Sequence, residues 1–161
     1  TQSGIPVIYS GDEIGQENDY SYHEDPVRRE DSRYLHRGIF RWDLEEWRKE
    51  KDSGQARIFD ESGRMEEIRG RHPVFESDAD VWTADTWEDS VLCVIRAKGD
   101  EKLVALFNFS EWDKTAWINE DDGEYVDLIS GRTMEAKGVD IPGYGAYWLL
   151  KKSQVQEEQE A

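Results

Sequence analysis

Apolar positions in this chain change their period near Pro73, and the change divides it into two differently built halves. The first apolar run, residues 5–9 (Ile-Pro-Val-Ile-Tyr), is bounded by Gly4 and by Ser10-Gly11, so it reads as a short strand. Unbroken apolarity is what a strand buried on both faces shows, as in a parallel sheet or barrel, and Pro6, lacking an amide hydrogen, fits only near its start. Residues 12–41 are polar and aperiodic, a length of loop that is usually functional or disordered. Two helical stretches follow. Over residues 42–49, Leu44, Trp47 and Arg48 fall at helical spacing, with acidic residues early and basic residues late as the helix dipole favours. After Asp52-Ser-Gly54, the residues Ile58, Phe59, Met65 and Ile68 mark one face of a second helix that Pro73 must end, and Gly63 weakens it by roughly 1 kcal/mol relative to Ala.

Beyond Pro73 the period becomes two. Residues 81–87, 91–97, 103–109, 115–118, 125–129 and 146–150 read as six strands. Their separators are turn sequences: Glu88-Asp89, Lys98-Gly-Asp100, Asp121-Asp-Gly123, Ser130-Gly131 and Pro142-Gly143. Short strands punctuated this way predict an antiparallel sandwich or barrel. The expected organisation is therefore residues 1–72 with one parallel-type strand lacking a sequential partner, residues 73–152 with strands enough to close a core, and a frayed Gln- and Glu-rich tail at 153–161.

Charge narrows the function classes. Twenty Lys and Arg stand against 37 Asp and Glu, a net charge of −17, so the clustered cations that hold nucleic-acid phosphates or anionic lipid are outnumbered. No apolar run approaches the roughly 20 residues of a membrane-spanning helix. Seven Trp, seven Tyr and five Phe argue against an acidic disordered chain. Cys93 is the single cysteine, which excludes an internal disulfide and suits a small buried hydrophobe. The opening Thr1-Gln-Ser-Gly4 is neither an initiator sequence nor a signal peptide, so a piece of a longer protein is expected. The missing disulfide leans toward a cytoplasmic parent, and the truncated start leaves localisation open.

Candidate chemistry is sparse. His23, His36 and His72 are spaced too irregularly for a zinc site, and Asn119-Glu-Asp-Asp-Gly123 lacks the alternating ligands of a calcium loop and reads as a hairpin turn. No glycine-rich phosphate loop follows a strand, and Gly143-Tyr-Gly145 is turn chemistry. No metal or cofactor is expected. Trp82, Trp87, Trp112, Trp117 and Trp148 are read first as core or sheet-face residues, with Trp82 and Trp112 as candidates for stacking on a sugar ring.

Residues 4–15 (Gly-Ile-Pro-Val-Ile-Tyr-Ser-Gly-Asp-Glu-Ile-Gly), followed by Asn18-Asp19, by Glu30-Asp-Ser-Arg33 and by His36-Arg37, resemble the last barrel strand and ensuing loop of the α-amylase family, glycoside hydrolase family 13, and most of all its amylosucrase-like branch. The resemblance continues through Gln55-Ala-Arg-Ile-Phe59, residues 64–69 and His72-Pro73. Leu106-Phe-Asn-Phe-Ser110 resembles a central strand of that family's C-terminal β-domain, and residues 142–149 resemble its closing strand. It implies a mainly β fold: an antiparallel β-sandwich, preceded by a fragment of a (β/α)8 barrel comprising strand eight, its long loop and helix eight.

In that family the nucleophile, the general acid and the stabilising carboxylate follow earlier barrel strands, and their motifs are missing here. Asp12 and Glu13 are the tempting substitutes. Retaining glycoside cleavage needs two carboxyl groups about 5–5.5 Å apart at different pKa values, whereas neighbours on a strand point to opposite faces. No catalytic residue is therefore expected, and the resemblance gives Asp12 and Glu13 a structural or pocket-lining role. It also places Arg33 against a carboxylate from an early barrel loop, closing the floor of the sugar pocket, a task that suits the planar guanidinium. The alternative for Arg33 is local pairing or solvation among Arg28, Arg29 and Arg37.

Three functions remain in view: a structural, by itself inactive C-terminal part of a bacterial-type enzyme acting on α-glucan or sucrose by retaining glycosidase or glucosyltransferase chemistry; a non-catalytic carbohydrate-binding sandwich; and an interaction domain whose orphan strand pairs with the barrel or with a second copy of the chain.

Overall fold

The structure, a computed structural model, describes residues 4–120 and 123–151. The tail expected at 153–161 and the Asp121-Asp122 part of the expected turn lie outside the described residues. Two compact units are present, residues 6–66 and residues from Glu67 onward.

The second unit is antiparallel β. Its strands are β1 (Asp80–Ala84), β2 (Val91–Lys98), β3 (Glu101–Asn108), β4 (Lys114–Ala116), β5 (Glu124–Asp127), β6 (Thr133–Glu135), β7 (Val139–Ile141) and β8 (Ala146–Lys151). Six form one open sheet in the order β1-β2-β3-β8-β5-β6, and β4 pairs with β7 in a second sheet. The β2–β3 hairpin turns on Gly99-Asp100, with Lys98 facing Glu101 in register and Gly99 at φ 58°, the left-handed geometry that a two-residue hairpin needs. The predicted antiparallel β fold is thus present, with eight strands among the described residues in place of six. Both additional strands, β6 and β7, have three residues each, too few for alternation to register.

Alternation along β2, β3 and β8 decides what each face buries. Val91, Cys93 and Ile95 of β2, Val104 and Leu106 of β3 and Leu149 of β8 meet Ala116, Ile118, Val139 and Ile141 of the β4–β7 layer in one apolar core. Val94, Arg96, Leu103, Ala105 and Trp148 are also buried and occupy the alternate positions. On that side Phe75 of the 3-10 turn Pro73–Phe75 packs on Trp148, ring centroids 4.9 Å apart. Arg96 is the one fully buried cation among the described residues; its Nε donates to the carbonyl of Val74 at 2.5 Å and its Nη2 to that of Glu76 at 2.7 Å, fastening the turn to the sheet. Burial, then the nearby charge of Arg69, lowers its pKa. Cys93 is buried as expected, and burial pushes its thiol up to about 12, which makes it a poor nucleophile.

The closing turn is built on proximity. A Cβ on Gly143 would stand 2.2 Å from the carbonyl oxygen of Glu111, so backbone meets backbone and no side chain fits there. Gly143 N–H donates to Asp113 Oδ1 at 3.1 Å and Tyr144 N–H to the Ser110 carbonyl at 2.9 Å.

The first unit departs from expectation. Residues 5–9 form no strand; Ile5 is 87% and Val7 83% exposed. An apolar run becomes a strand only by exchanging backbone hydrogen bonds with neighbours, and among the described residues no strand pairs with it. The stretch 12–41 is ordered by short 3-10 turns at Asp12–Ile14, Tyr20–Glu24 and Ser32–His36. Helix α1 (Trp42–Trp47) and helix α2 (Gly54–Arg71) then stand where the period predicted them. Ser53 caps α2, its Oγ accepting from Ala56 N–H at 2.9 Å. The expected apolar face of α2 is not buried, however: Ile58 and Phe59 are exposed, and Ala56 is the buried residue of that helix.

Candidate functional site

Three aspartates six residues apart shape the loop of the first unit. Asp19 Oδ1 accepts from Ser21 N–H at 2.9 Å, Asp25 Oδ1 from Val27 N–H at 2.8 Å and Asp31 Oδ1 from Arg33 N–H at 3.1 Å. Each is an Asx turn, in which a short carboxylate replaces the backbone acceptor and bends the chain. Gly11 (φ 102°) and Gly15 (φ 63°) bracket the first 3-10 turn and bury Ile14. A Cβ on Gly15 would lie 2.6 Å from Ile58 Cδ1, so this residue has both a left-handed backbone and no room for a side chain.

Gln16 joins the two ends of the loop. Its Nε2 donates to the Ile39 carbonyl at 3.1 Å, and its Oε1 accepts from Arg41 N–H at 3.0 Å, as a strand partner would. Asn18 Oδ1 meets His36 Nδ1 at 3.0 Å, and Asp19 N–H donates to the Leu35 carbonyl at 2.9 Å. These bonds open a cleft of about 510 Å³, lined among others by Gln16, Glu17, Asn18, Ile39, Arg41 and Leu44. Two of its charged groups, Arg41 and Asp19, are already engaged. Arg41 grips Asp43 through Nε at 2.7 Å, which raises the guanidinium pKa, and the hydrogen bonds of Ser21 hold the Asp19 carboxyl below its ordinary value. An ionised Asp19 accepts hydrogen bonds and donates no proton, so the cleft is equipped to hold hydroxyl groups.

Sequence reasoning did not find Gln16, because a glutamine that bridges backbone groups carries no local signature.

Asp12 and Glu13 lie in a 3-10 turn and not at a strand end, since Gly11 turns the backbone before they are reached. Each carboxylate folds back on its own turn: Asp12 Oδ2 accepts from Tyr9 N–H at 3.3 Å and Glu13 Oε2 from Gly11 N–H at 2.7 Å. Asp12 lines a recess of about 40 Å³ shared with Asn18 and His36. Arg33 is exposed and lines none of these recesses; its Nε and Nη2 clasp the two oxygens of Asp31 at 2.7 and 2.6 Å. That bidentate bond pushes the Asp31 carboxyl down to about 2, from 3.8. A depressed carboxylate pKa favours the fold above its unfolded value and loses that contribution as pH falls through about 2. Carboxyl-carbon NMR should therefore show Asp31 titrating near 2, and Arg33→Ala should return the midpoint toward the ordinary aspartate value.

The tryptophans scatter. Trp148 is buried, but Trp87, Trp112 and Trp117 are exposed and Trp82 is 42% exposed, which corrects the core reading of the set. Strand propensity reports that an aromatic fits a pleated surface, and does not say whether that surface is covered. Trp82 lies midway along the edge strand β1, opposite Ile95, while Trp112 lies in the β3–β4 connection, so the two are on separate elements. Among the described residues no group of three or more His, Cys, Asp or Glu is placed to hold a metal ion, and no helix is long and apolar enough to cross a membrane.

No family model matches the sequence. The fold is shared with solved amylase structures. A maltogenic amylase from S. marinus aligns over 91% of this chain and 17% of its own, at 23% identity and a TM-score of 0.58. An Anoxybacillus α-amylase aligns over 93% of this chain and 30% of its own, at 19% identity and a TM-score of 0.63. A cyclic α-maltosyl-(1→6)-maltose hydrolase from Arthrobacter globiformis aligns over 91% and 27%, at 19% identity and a TM-score of 0.57. The chain thus spans less than a third of the length of each of these structures, and the antiparallel sheet matches the C-terminal β domain of amylases.

Proposed function

We propose that this chain is the C-terminal part of an α-amylase-type enzyme acting on α-glucan or sucrose, amylosucrase-like in its closest relationship, and that its own contribution is structural. The observation that carries this reading is the contrast between the units. From Glu67 onward the chain packs a two-layer apolar core, whereas residues 6–66 bury only Ile14, Tyr22 and Ala56 among their hydrophobic side chains and leave Val7, Ile39, Trp42 and Trp47 exposed. Apolar surface in that proportion suits a segment whose partner is the rest of a barrel. Within that whole, residues 5–9 supply the last strand, Asp12 and Glu13 shape the turn after it, and Arg33 exchanges Asp31 for a carboxylate of the barrel at the sugar pocket.

The test is reconstitution. Alone, the chain should release no sugar above buffer from sucrose, maltooligosaccharides or nitrophenyl α-glucoside, and mixing it with the preceding barrel polypeptide should restore cleavage. Turnover by the chain alone that survives purification and is abolished by a substitution within it would overturn the reading.

A further inference from the structure

The end of the large sheet where β3 leaves and β8 enters carries four aromatic rings that the core does not use. Trp87 lies between β1 and β2, Phe109 and Trp112 between β3 and β4, and Tyr144 between β7 and β8. They are 80%, 68%, 68% and 75% exposed. The three connections are bonded into one rim: Phe109 N–H donates to the Ser90 carbonyl at 2.9 Å, Tyr144 N–H to that of Ser110 at 2.9 Å, and Lys114 Nζ pairs with Glu88 at 3.1 Å.

Two of the four rings are held outward by unusual backbone. Trp87 (φ 58°) and Tyr144 (φ 55°) are, among the described residues, the two non-glycine positions with positive φ, a conformation that residues of this bulk adopt only under constraint. The constraint is visible at Trp87, whose N–H is drawn to Asp85 Oδ1 at 2.9 Å.

The rim alternates these rings with carboxylates: Glu88 and Asp89 follow Trp87, and Glu111 and Asp113 flank Trp112. Glu88 is held by Lys114 and Asp113 by Gly143 N–H, while Asp89 and Glu111 are exposed; in a chain of net charge −17 this repels nucleic acid and anionic lipid, and an apolar protein face would desolvate Asp89 and Glu111. A neutral ligand with apolar faces and many hydroxyls satisfies both parts, its C–H faces on the rings and its hydroxyls donating to the acids. We propose that the rim of Trp87, Phe109, Trp112 and Tyr144 is a non-catalytic binding surface for an α-glucan chain, the α linkage resting on the function proposed above.

Calorimetry and tryptophan fluorescence with maltoheptaose, on the 161-residue chain, test this. Saturable binding is expected, weakened roughly tenfold by Trp112→Ala or by Trp87→Ala and unchanged by Trp82→Ala, which lies outside the rim. Both rim tryptophans are exposed, so unaltered circular dichroism and melting should accompany the loss. Absence of saturable binding, or rim variants that bind as the parent does, would overturn the proposal. Binding of cellohexaose with maltoheptaose inert would overturn the α-glucan assignment. Failure of the rim would leave sugar cleavage by the reconstituted enzyme unaffected, so the two readings fail separately.

Discussion

Asp127→Ala is expected to lower the free energy of unfolding by about 3–5 kcal/mol, a large share of what a domain of this size possesses. Asp127 is 1% exposed and its carboxylate serves three backbone donors: Ile129 N–H at 3.2 Å, Ser130 N–H at 2.9 Å and Trp148 N–H at 2.9 Å. The first two build the turn that leads from β5 to β6. The third reaches across to β8, continuing the β5–β8 pairing past its last register pair, Asp127 with Leu149. Alanine would remove the acceptor that all three donors share, and two of these belong to the turn from β5 to β6. Asp127→Asn keeps Oδ1, which serves Ile129 and Trp148, but sets an amide hydrogen against Ser130 N–H, so it should fall between the parent and alanine. Urea unfolding followed by circular dichroism measures the series. An alanine variant within about 0.5 kcal/mol of the parent would show that water or a rearranged turn satisfies the donors.

What the sequence disclosed about the fold follows from how far each signal depends on distant partners. Alternation in β2, β3 and β8 was legible because a strand inside a sheet buries alternate residues whatever its neighbours are, and Gly99-Asp100 marked their hairpin locally. β6 and β7 were missed because three residues hold barely one period. Residues 5–9, read as a strand, are the opposite case and lack a pairing partner among the described residues. Their apolarity signals a demand for burial and pairing, and nothing in five residues says whether that demand is met; here Ile5 and Val7 remain in solvent. The same limit applies to the tryptophans, since aromatic content fixed the size of the apolar load but not which rings are covered.

Of the cleft, the sequence marked the loop that carries it and, as site residues, none of those that line it. The long polar loop marked the region, and the resemblance named Asp12, Glu13 and Arg33 within it. The geometry then shows that Asp12 and Glu13 cap their own turn and that Arg33 holds Asp31, while the cleft is organised by Gln16. The bonds of Asp12, Glu13 and Arg33 form at short chain separation and cost little loop entropy, so they are available to residues 6–66 without a large core, whereas Gln16 closes the loop across about 25 residues. They also explain how a segment with few buried hydrophobic side chains keeps a defined shape.

The second large effect is expected at Asn108, the centre of the Leu-Phe-Asn-Phe-Ser run that carried part of the resemblance. Asn108 is 3% exposed. Its Nδ2 faces the carbonyls of Trp112 (2.7 Å), Ile141 (3.2 Å) and Pro142 (3.0 Å), and its Oδ1 accepts from Ser110 N–H (2.9 Å) and Ser110 Oγ (2.8 Å). Three acceptors on one side and two donors on the other fix the amide's orientation, and only an amide offers both at this spacing. The residue therefore ties the end of β3 to the end of β7 and sets the base of the aromatic rim. Asn108→Ala should cost about 2–4 kcal/mol by leaving buried carbonyls and Ser110 N–H unpaired. Asn108→Asp is the sharper experiment, because it preserves shape and changes only the donor into an oxygen facing carbonyl oxygens. The introduced carboxyl can mimic the amide only when protonated, so the fold should raise its pKa above the unfolded value of about 3.9. A raised carboxyl pKa makes the folded state bind the extra proton, and stability relative to the parent then falls as pH rises from the unfolded pKa to the native one. The Asp variant should thus lie nearest the parent at acid pH and furthest from it at neutral pH, with a constant deficit above the native pKa. Paired urea unfolding curves of parent and variant between pH 4 and pH 8 decide the matter; a deficit independent of pH would show that Nδ2 does not face those three carbonyls.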